Sequence, residues 1–135
     1  MEYTIKLQRE NSIRNTYFEL LRDMKATCPL VTTEDVIEAM MSMPAPRFYT
    51  SLSTAQRIIS RMYRGLYVRF SNKNKESMYK EILSRTKKAL GRGDIKSYVD
   101  IEHILEQQAP SYYVTKVTMK TVVYQSIKNA KKLKK

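Results

Sequence analysis

The sequence predicts an all-α protein built from two pseudo-repeats of one three-helix unit, similar to a helix-turn-helix module. The first observation is internal similarity, because residues 45–51 align with residues 109–115 at an offset of 109 − 45 = 64 positions. The second is that apolar residues recur at helical spacing along most of the chain. The third is that 3 Gly and 4 Pro in 135 residues are too few for the many tight turns of an all-β fold.

The same offset reaches beyond these turns. It relates Ile37 to Ile101 in the segment before the turn, and Ile58 to Val122 in the segment after it. Similarity at a fixed offset is the sequence signature of repeated structural units. Three short helices can enclose a small core, so each copy is predicted to be one helical unit.

A polar segment at 71–74 is the natural boundary between the two units. Unit 1 therefore covers residues 1–70, and unit 2 covers residues 71–135 and ends in a basic tail. We predict helices at about 11–26, 33–43 and 52–64 in unit 1, and at about 74–90, 97–107 and 116–130 in unit 2. The pattern leaves open whether the two units share one core.

Local signals mark the ends of these helices. Residues 3–8 alternate between apolar and polar, which predicts a short extended arm before the first helix. Ser51 and Thr115 are expected to cap the third helix of each unit, since a hydroxyl oxygen there accepts a backbone N–H. Gly65 fits the position after a helix at which positive φ is needed. Segment 66–70 fits either a short strand or an extended linker.

The chain is strongly basic, with a net charge of +12. Residues 1–67 hold 9 basic and 7 acidic side chains, whereas residues 68–135 hold 16 basic and 6 acidic ones. An acidic partner would therefore meet the second half first. Nucleic acid is such a partner, because each phosphate that a cation neutralises releases counterions.

Basic side chains form a row on the third helix of each predicted unit. Arg57, Arg61 and Arg64 fall at i, i+4 and i+7, so they share one helix face. Such a row can neutralise phosphates, and arginines in a major groove can also contact base edges. The sequence therefore predicts a DNA-binding protein whose partner is duplex DNA. The predicted binding residues are Gln56, Arg57, Ser60, Arg61, Arg64, Lys116, Lys120, Lys128, Lys131 and Lys132.

No motif predicts an enzyme, a metal site or a cofactor. A structural zinc site needs four ligands, and this chain has one cysteine, Cys28, and one histidine, His103. The segment 91–93 (Gly-Arg-Gly) is too short for a phosphate-binding loop and follows no predicted strand. We therefore expect a protein without catalytic activity.

The first copy of the repeated turn, residues 44–51, reads PAPRFYTS. It resembles a motif of small uncharacterised bacterial and phage proteins, in which PAPRFYVS typically precedes a helix that ends in Arg-Gly or Lys-Gly. The second copy resembles it more loosely, because Ser111 stands where the first copy has Arg47. The resemblance implies a bacterial or phage origin and no particular activity. No apolar run is long enough for a membrane span. We therefore expect no membrane partner and a cytoplasmic location in a bacterial or phage-infected cell, with a virion as the alternative.

The alternative function is a structural or adaptor protein, such as a phage virion or assembly component. Its partner would be an acidic protein, and the aromatic side chains of the repeated turn would be the anchors of the interface. The residues predicted for this role are Arg47, Phe48, Tyr49, Tyr112 and Tyr113.

Overall fold

The structure, a computed structural model, describes residues 2–133. Its regular structure consists of α-helices, and no strand occurs within these residues, so the predicted all-α class is confirmed. The helices are α1 (Glu2–Thr27), α2 (Thr33–Met40), α3 (Leu52–Tyr63), α4 (Lys73–Arg92), α5 (Glu102–Leu105) and α6 (Lys116–Leu133).

Helix α1 begins at Glu2, so the predicted extended arm at residues 3–8 is wrong. Six residues of alternation are too few to distinguish a strand from the start of a helix. The residues that follow Ile5 are Lys, Leu, Gln, Arg and Glu, which are all strong helix formers. The helical period places Arg9 four residues from both Ile5 and Ile13, on the face that packs against the core. Ile13 is completely buried there.

Two helices are shorter than predicted. Helix α2 ends at Met40 instead of residue 43, because the chain tightens into successive turns before Pro44. Helix α5 begins at residue 102 instead of about 97, because Ser97 organises a local turn. Its hydroxyl oxygen accepts the Val99 N–H at 3.2 Å, and its carbonyl accepts the Asp100 N–H at 3.0 Å. Local bonds of this kind compete with helix formation.

The predicted helix ends at the repeated turns are confirmed. Ser51 Oγ accepts the Thr54 N–H at 3.3 Å, and Thr115 Oγ1 accepts the Thr118 N–H at 3.1 Å. Gly65 has a φ of +75°, as expected at the end of α3. Helices α3 and α6 therefore begin at residues 52 and 116, which are separated by the repeat offset.

Segment 66–70 is an irregular linker, which resolves the choice that the sequence left open. Its backbone is held at one point by Arg61, whose Nη2 donates to the Tyr67 carbonyl at 3.1 Å. Val68 and Phe70 pack against the core, and the Phe70 ring stacks on the Tyr79 ring with centroids 5.8 Å apart, whereas Leu66 and Tyr67 are exposed. The linker thus leads the chain from α3 to α4 along the core.

The two predicted units share one core. Helix α3 packs on α4, and α6 packs on α1 and α2, so each third helix contacts the first helix of the other half. The buried side chains form one cluster that includes Tyr17 of α1, Ile59 of α3, Ile82 of α4 and Met119 of α6. The boundary at residue 70 therefore divides the chain without dividing the core. Repetition of the complete three-helix unit stays a prediction.

Candidate functional site

The repeated turns contact each other through their backbones. Ala45 N–H donates to the Ala109 carbonyl at 2.9 Å, and Ala109 N–H donates to the Ala45 carbonyl at 2.8 Å. These two residues occupy the same position of the repeated turn, and both side chains are buried. A further bond, from Phe48 N–H to the Leu105 carbonyl at 2.9 Å, ties the first turn to α5. The two halves of the chain are therefore joined at the repeated turns.

The aromatic rings of the turns stack in two exchanged pairs. Phe48 stacks on Tyr113 with centroids 6.3 Å apart, and Tyr49 stacks on Tyr112 with centroids 6.0 Å apart. Phe48 aligns with Tyr112 in the repeat, and Tyr49 aligns with Tyr113. Each contact thus has a counterpart in which the two copies change places, as in contacts across a two-fold axis.

The stacked rings are occupied by internal contacts. Phe48 is 0% exposed and Tyr112 is 5% exposed. The Tyr112 hydroxyl lies 2.7 Å from Ser12 Oγ and 3.0 Å from Thr16 Oγ1 on α1. Arg47 is also held within its own turn, since its Nε donates to the Phe48 carbonyl at 3.1 Å and its guanidinium lies over the Tyr49 ring. The residues predicted for protein interaction are brought together, but as part of the contact between the two turns.

A cleft of about 620 Å³ lies beside the stacked rings. Equivalent positions of both turn segments line it, namely Tyr49 and Tyr113, Thr50 and Val114, Ser51 and Thr115, and Thr54 and Thr118. The cap residues of three helices also line it, Ser51 of α3, Asn72 of α4 and Thr115 of α6. The positive ends of three helix dipoles therefore lie at its wall.

The cleft is positively charged. Its cations come from α1, α3, α4 and the linker, and they are Lys6, Arg9, Arg57, Arg69 and Lys75. Among the side chains that the structure describes, no Asp or Glu lines the cleft and none makes an ion pair with these cations. The arrangement can attract and hold an anion, because like charges converge there without internal neutralisation.

Arg9 is the least solvated cation of the cleft. Its Nε is shielded from solvent and has no hydrogen-bond partner among the described residues. Burial lowers the pKa of the Arg9 guanidinium, and the adjacent Glu10 partly offsets this effect. A guanidinium stays protonated at neutral pH even so. The cleft therefore contains a partly buried positive charge with an unused donor.

Tyr113 has an unusual backbone conformation at the wall of the cleft. Its φ is +54°, and no other non-glycine residue in the described part of the chain has positive φ. A hydrogen bond from Tyr113 N–H to Ser111 Oγ, at 3.1 Å, holds this conformation. A bulky side chain in this region is strained, and such strain clusters at functional sites. This observation adds weight to the cleft as the candidate site.

The predicted basic row on α3 is only partly directed into the cleft. Arg57 lines the cleft and is exposed, whereas Arg61 and Arg64 lie further along the helix. Arg64 Nε donates to the Ser60 carbonyl at 3.4 Å, which folds the side chain back onto its own helix. Gln56 is already bonded, since its Nε2 donates to the Val99 carbonyl at 2.6 Å. The structure therefore places one residue of this row, Arg57, at the site.

The predicted basic row on α6 is largely neutralised. Lys116 Nζ lies 2.6 Å from Glu38 Oε2, and Lys120 Nζ lies 3.2 Å from Glu34 Oε2. The Tyr124 hydroxyl also donates to Glu34 at 2.7 Å. The hydrogen bond from Tyr124, followed by that from Lys120, lowers the pKa of the Glu34 carboxyl. The hydrogen bond with Glu38 raises the pKa of Lys116. Acidic side chains of α2 thus offset this row.

The remaining predicted cations lie at the end of α6. Lys128, Lys131 and Lys132 are exposed and form no ion pair with the described side chains. They do not line the cleft. They provide a separate basic surface, which makes them a useful contrast to the cleft in binding experiments.

In a second cavity, of about 410 Å³, two of the three lining Lys or Arg side chains are paired with carboxylates, and Lys88 is the third. Arg85 on its wall pairs with Glu81 at 2.8 Å, and Arg92 pairs with Asp94 at 2.9 Å. His103 also lines this cavity. Within residues 2–133, no three His, Cys, Asp or Glu side chains are grouped as metal ligands would be.

Comparison with protein-family models, curated proteins and solved structures finds no match to this chain. The resemblance of residues 44–51 to bacterial and phage proteins therefore stays a prediction. None of the helices in residues 2–133 combines the length and the apolar character that crossing a bilayer requires.

Sequence reasoning missed most of the cations in the cleft, namely Lys6, Arg9, Arg69 and Lys75. They lie outside the third helices, on which the search for basic rows concentrated. One signal was present, because Arg9 is four residues from Ile5 and from Ile13 and so interrupts an apolar helical face. A cation on such a face must be paired, exposed at an edge or directed into a cavity.

Proposed function

We propose that this protein binds the phosphate backbone of nucleic acid in the cleft beside the repeated turns, and that it does so without catalysis. The observation that carries the proposal is the convergence of five cations, without a carboxylate, on one cleft in the described part of the chain. Phosphate contacts by lysine and arginine account for essentially all non-specific nucleic-acid binding. The net charge of +12 would add long-range attraction to the same partner.

The proposal differs from the sequence-based one in its location. The sequence assigned binding to the third-helix rows, and the α6 row is paired with acidic residues. The cleft combines Arg57 from α3 with cations of α1, α4 and the linker. Binding residues from several elements are positioned relative to one another by the core, so the site is preorganised for its ligand.

The test compares matched charge removals at different surfaces. A cleft variant, Arg57→Gln/Arg69→Gln/Lys75→Gln, should weaken binding of a labelled oligonucleotide about tenfold or more at low salt. It should also reduce the slope of log K against log salt by about 2 to 3, because three phosphate contacts are lost. Fluorescence anisotropy at about 50 and 200 mM salt measures both quantities.

The control variant is Arg14→Gln/Lys25→Gln/Lys87→Gln, which removes the same charge from exposed helix positions outside the cleft. It should lower affinity only slightly, through the change in net charge. A third variant, Lys128→Gln/Lys131→Gln/Lys132→Gln, removes the same charge from the end of α6. If this variant loses as much affinity as the cleft variant or more, the binding surface is the end of α6 and the proposed location is wrong.

A further inference from the structure

The size of the cleft limits which form of nucleic acid reaches its inner wall. Its volume of about 620 Å³ lies within the range of about 300–1,000 Å³ that is usual for small-ligand pockets. A duplex presents both backbones and its stacked bases as one thick rod, so it could contact only the rim. A single strand can insert one phosphate and unstack the adjoining bases.

Arg9 is half-buried and marks the inner wall of the cleft, whereas the exposed cations form its rim, namely Arg57, Arg69 and Lys75. The Nε of Arg9 is shielded from solvent, its side chain lines the cleft, and no described residue accepts a hydrogen bond from that nitrogen. Leaving a charged donor partly buried and unpaired is unfavourable. An anionic oxygen that enters the cleft would lie beside the Arg9 charge and could become the missing acceptor if the side chain turned toward it, whereas an anion that stays outside would not come close to it.

Aromatic rings line the same cleft as the cations. Phe70, Tyr49 and Tyr113 are each half-buried, so none of these residues is closed off from solvent. Lys6 and Arg69 lie among them on the cleft wall. A positively charged groove that also presents aromatic rings is the combination by which proteins hold single strands, with cations along the backbone and rings against the bases.

We propose that the cleft binds single-stranded nucleic acid, with a backbone phosphate at Arg9 and the adjoining bases against the half-buried aromatic rings. This inference rests on the proposed function and specifies its ligand. The strand passes the rim cations Arg57, Arg69 and Lys75, so duplex bound at the rim and single strand bound inside would respond differently to substitution of Arg9.

The experiment compares a labelled single strand with a duplex of equal length, at one salt concentration, by fluorescence anisotropy. Oligo(dT) and oligo(rU) serve as unstructured single strands. We expect the single strand to bind about tenfold tighter than the duplex. Arg9→Gln should weaken single-strand binding about tenfold, because a charge-assisted contact is lost, and should leave duplex binding unchanged. Arg9→Lys should retain part of the affinity, since the charge remains.

The matched control is Arg14→Gln, which removes one charge from an exposed position of the same helix and should change neither affinity. Thermal unfolding followed by circular dichroism checks that each variant is folded. Arg69→Gln alters an exposed side chain and provides a second test of the cleft if Arg9→Gln does not fold. It should weaken binding of both single strand and duplex severalfold, so in that case the affinity ratio of the two forms for the unsubstituted protein decides the single-strand inference.

Each result decides between the two proposals or rejects both. Equal affinity for duplex and single strand, with no effect of Arg9→Gln, overturns the single-strand inference and leaves nucleic-acid binding standing. Failure of both oligonucleotides to bind rejects the proposed function as well. Thymidine 5′-monophosphate is the third ligand, and if it binds as tightly as the single strand, the cleft is a site for small phosphate esters and the inference is wrong.

Discussion

The two turn-helix segments, residues 45–63 and 109–127, share a backbone bridge and a type of helix cap, but they differ in electrostatics and in the backbone at Tyr113, where φ is positive. Both begin with an alanine of the central backbone bridge, and both cap the following helix with a hydroxyl residue, Ser51 or Thr115. Their rings stack on each other in exchanged pairs. Both copies of the turn therefore supply the same three features, namely a bridge residue, a pair of stacked rings and a helix cap.

The difference arises from what each helix packs against. Helix α6 packs on α2, where Glu38 and Glu34 pair with Lys116 and Lys120. Helix α3 packs on α4, and Arg57 faces a cleft without carboxylates in the described residues. The formal charge of a helix therefore does not measure the charge available to a ligand. The neighbouring helix determines how much of it remains.

The strongest effect should come from variants that test whether equivalent rings of the two segments contribute equally to stability. Phe48→Ala and Tyr112→Ala should each lower the free energy of unfolding by about 3–5 kcal/mol, because both remove a buried ring at the same repeat position. Urea denaturation measures the change. Tyr67→Ala is the control, since Tyr67 is 80% exposed, and it should change stability by less than about 0.5 kcal/mol. A large difference between Phe48→Ala and Tyr112→Ala would mean that the two turns are not energetically equivalent.

An intermediate effect is expected from variants that test the electrostatic difference between the two segments. Glu34→Gln/Glu38→Gln releases Lys116 and Lys120 from their acidic partners and should raise affinity for single-stranded DNA by about threefold to tenfold. The slope of log K against log salt should become steeper by about 1 for one added phosphate contact, and by somewhat less than about 2 if both lysines contact phosphates. The same anisotropy titration measures both changes.

The control for this experiment is Glu19→Gln/Glu106→Gln, which changes the net charge equally at exposed sites without a described ion pair. It should have a smaller effect. If the two double variants gain affinity equally, overall charge explains the result and pairing does not. If neither gains affinity, the α6 lysines lie too far from the ligand to contribute.

The smallest effect concerns the pairing itself. The pKa of Glu34 is lowered first by the Tyr124 hydrogen bond, so Tyr124→Phe should raise the pKa of this carboxyl toward its ordinary value. Because the folded-state pKa is lowered, the stabilisation is present above the ordinary pKa of glutamate. It is lost as the pH falls through the lower, folded-state value. NMR titration of the Glu34 carboxyl measures the shift, with Tyr63→Phe as the control that leaves it unchanged.

Local chemistry predicted much of the fold. The helix starts at residues 52 and 116 follow from hydroxyl caps, and the end of α3 follows from Gly65, since each signal acts within a few residues. Prediction failed where a short pattern suited two structures. The alternation in residues 3–8 fitted a strand, but the helix that continues through Ile13 incorporates these residues. At Ser97, a side-chain bond to the backbone displaced the start of α5.

The candidate site was less predictable. Arg57 was identified from helix periodicity alone, and it does line the cleft. Lys6, Arg69 and Lys75 lie in three other segments, and nothing local indicates that these segments meet. Lys116 and Lys120 were identified by the same periodicity, but their neutralisation depends on two glutamates that are about 80 residues away in the chain. Contacts over such distances depend on how helices pack.

Helical class, the repeated turn and its caps can be read from the sequence, because helix periodicity and capping depend on neighbouring residues. The packing of α3 on α4 and of α6 on α1 and α2 is visible only in the folded protein, and it sets which cations face a cleft and which face carboxylates. Sequence cannot supply this information because electrostatic interactions depend on distance in space. Residues that are remote in sequence become neighbours only when the shared core brings their helices together.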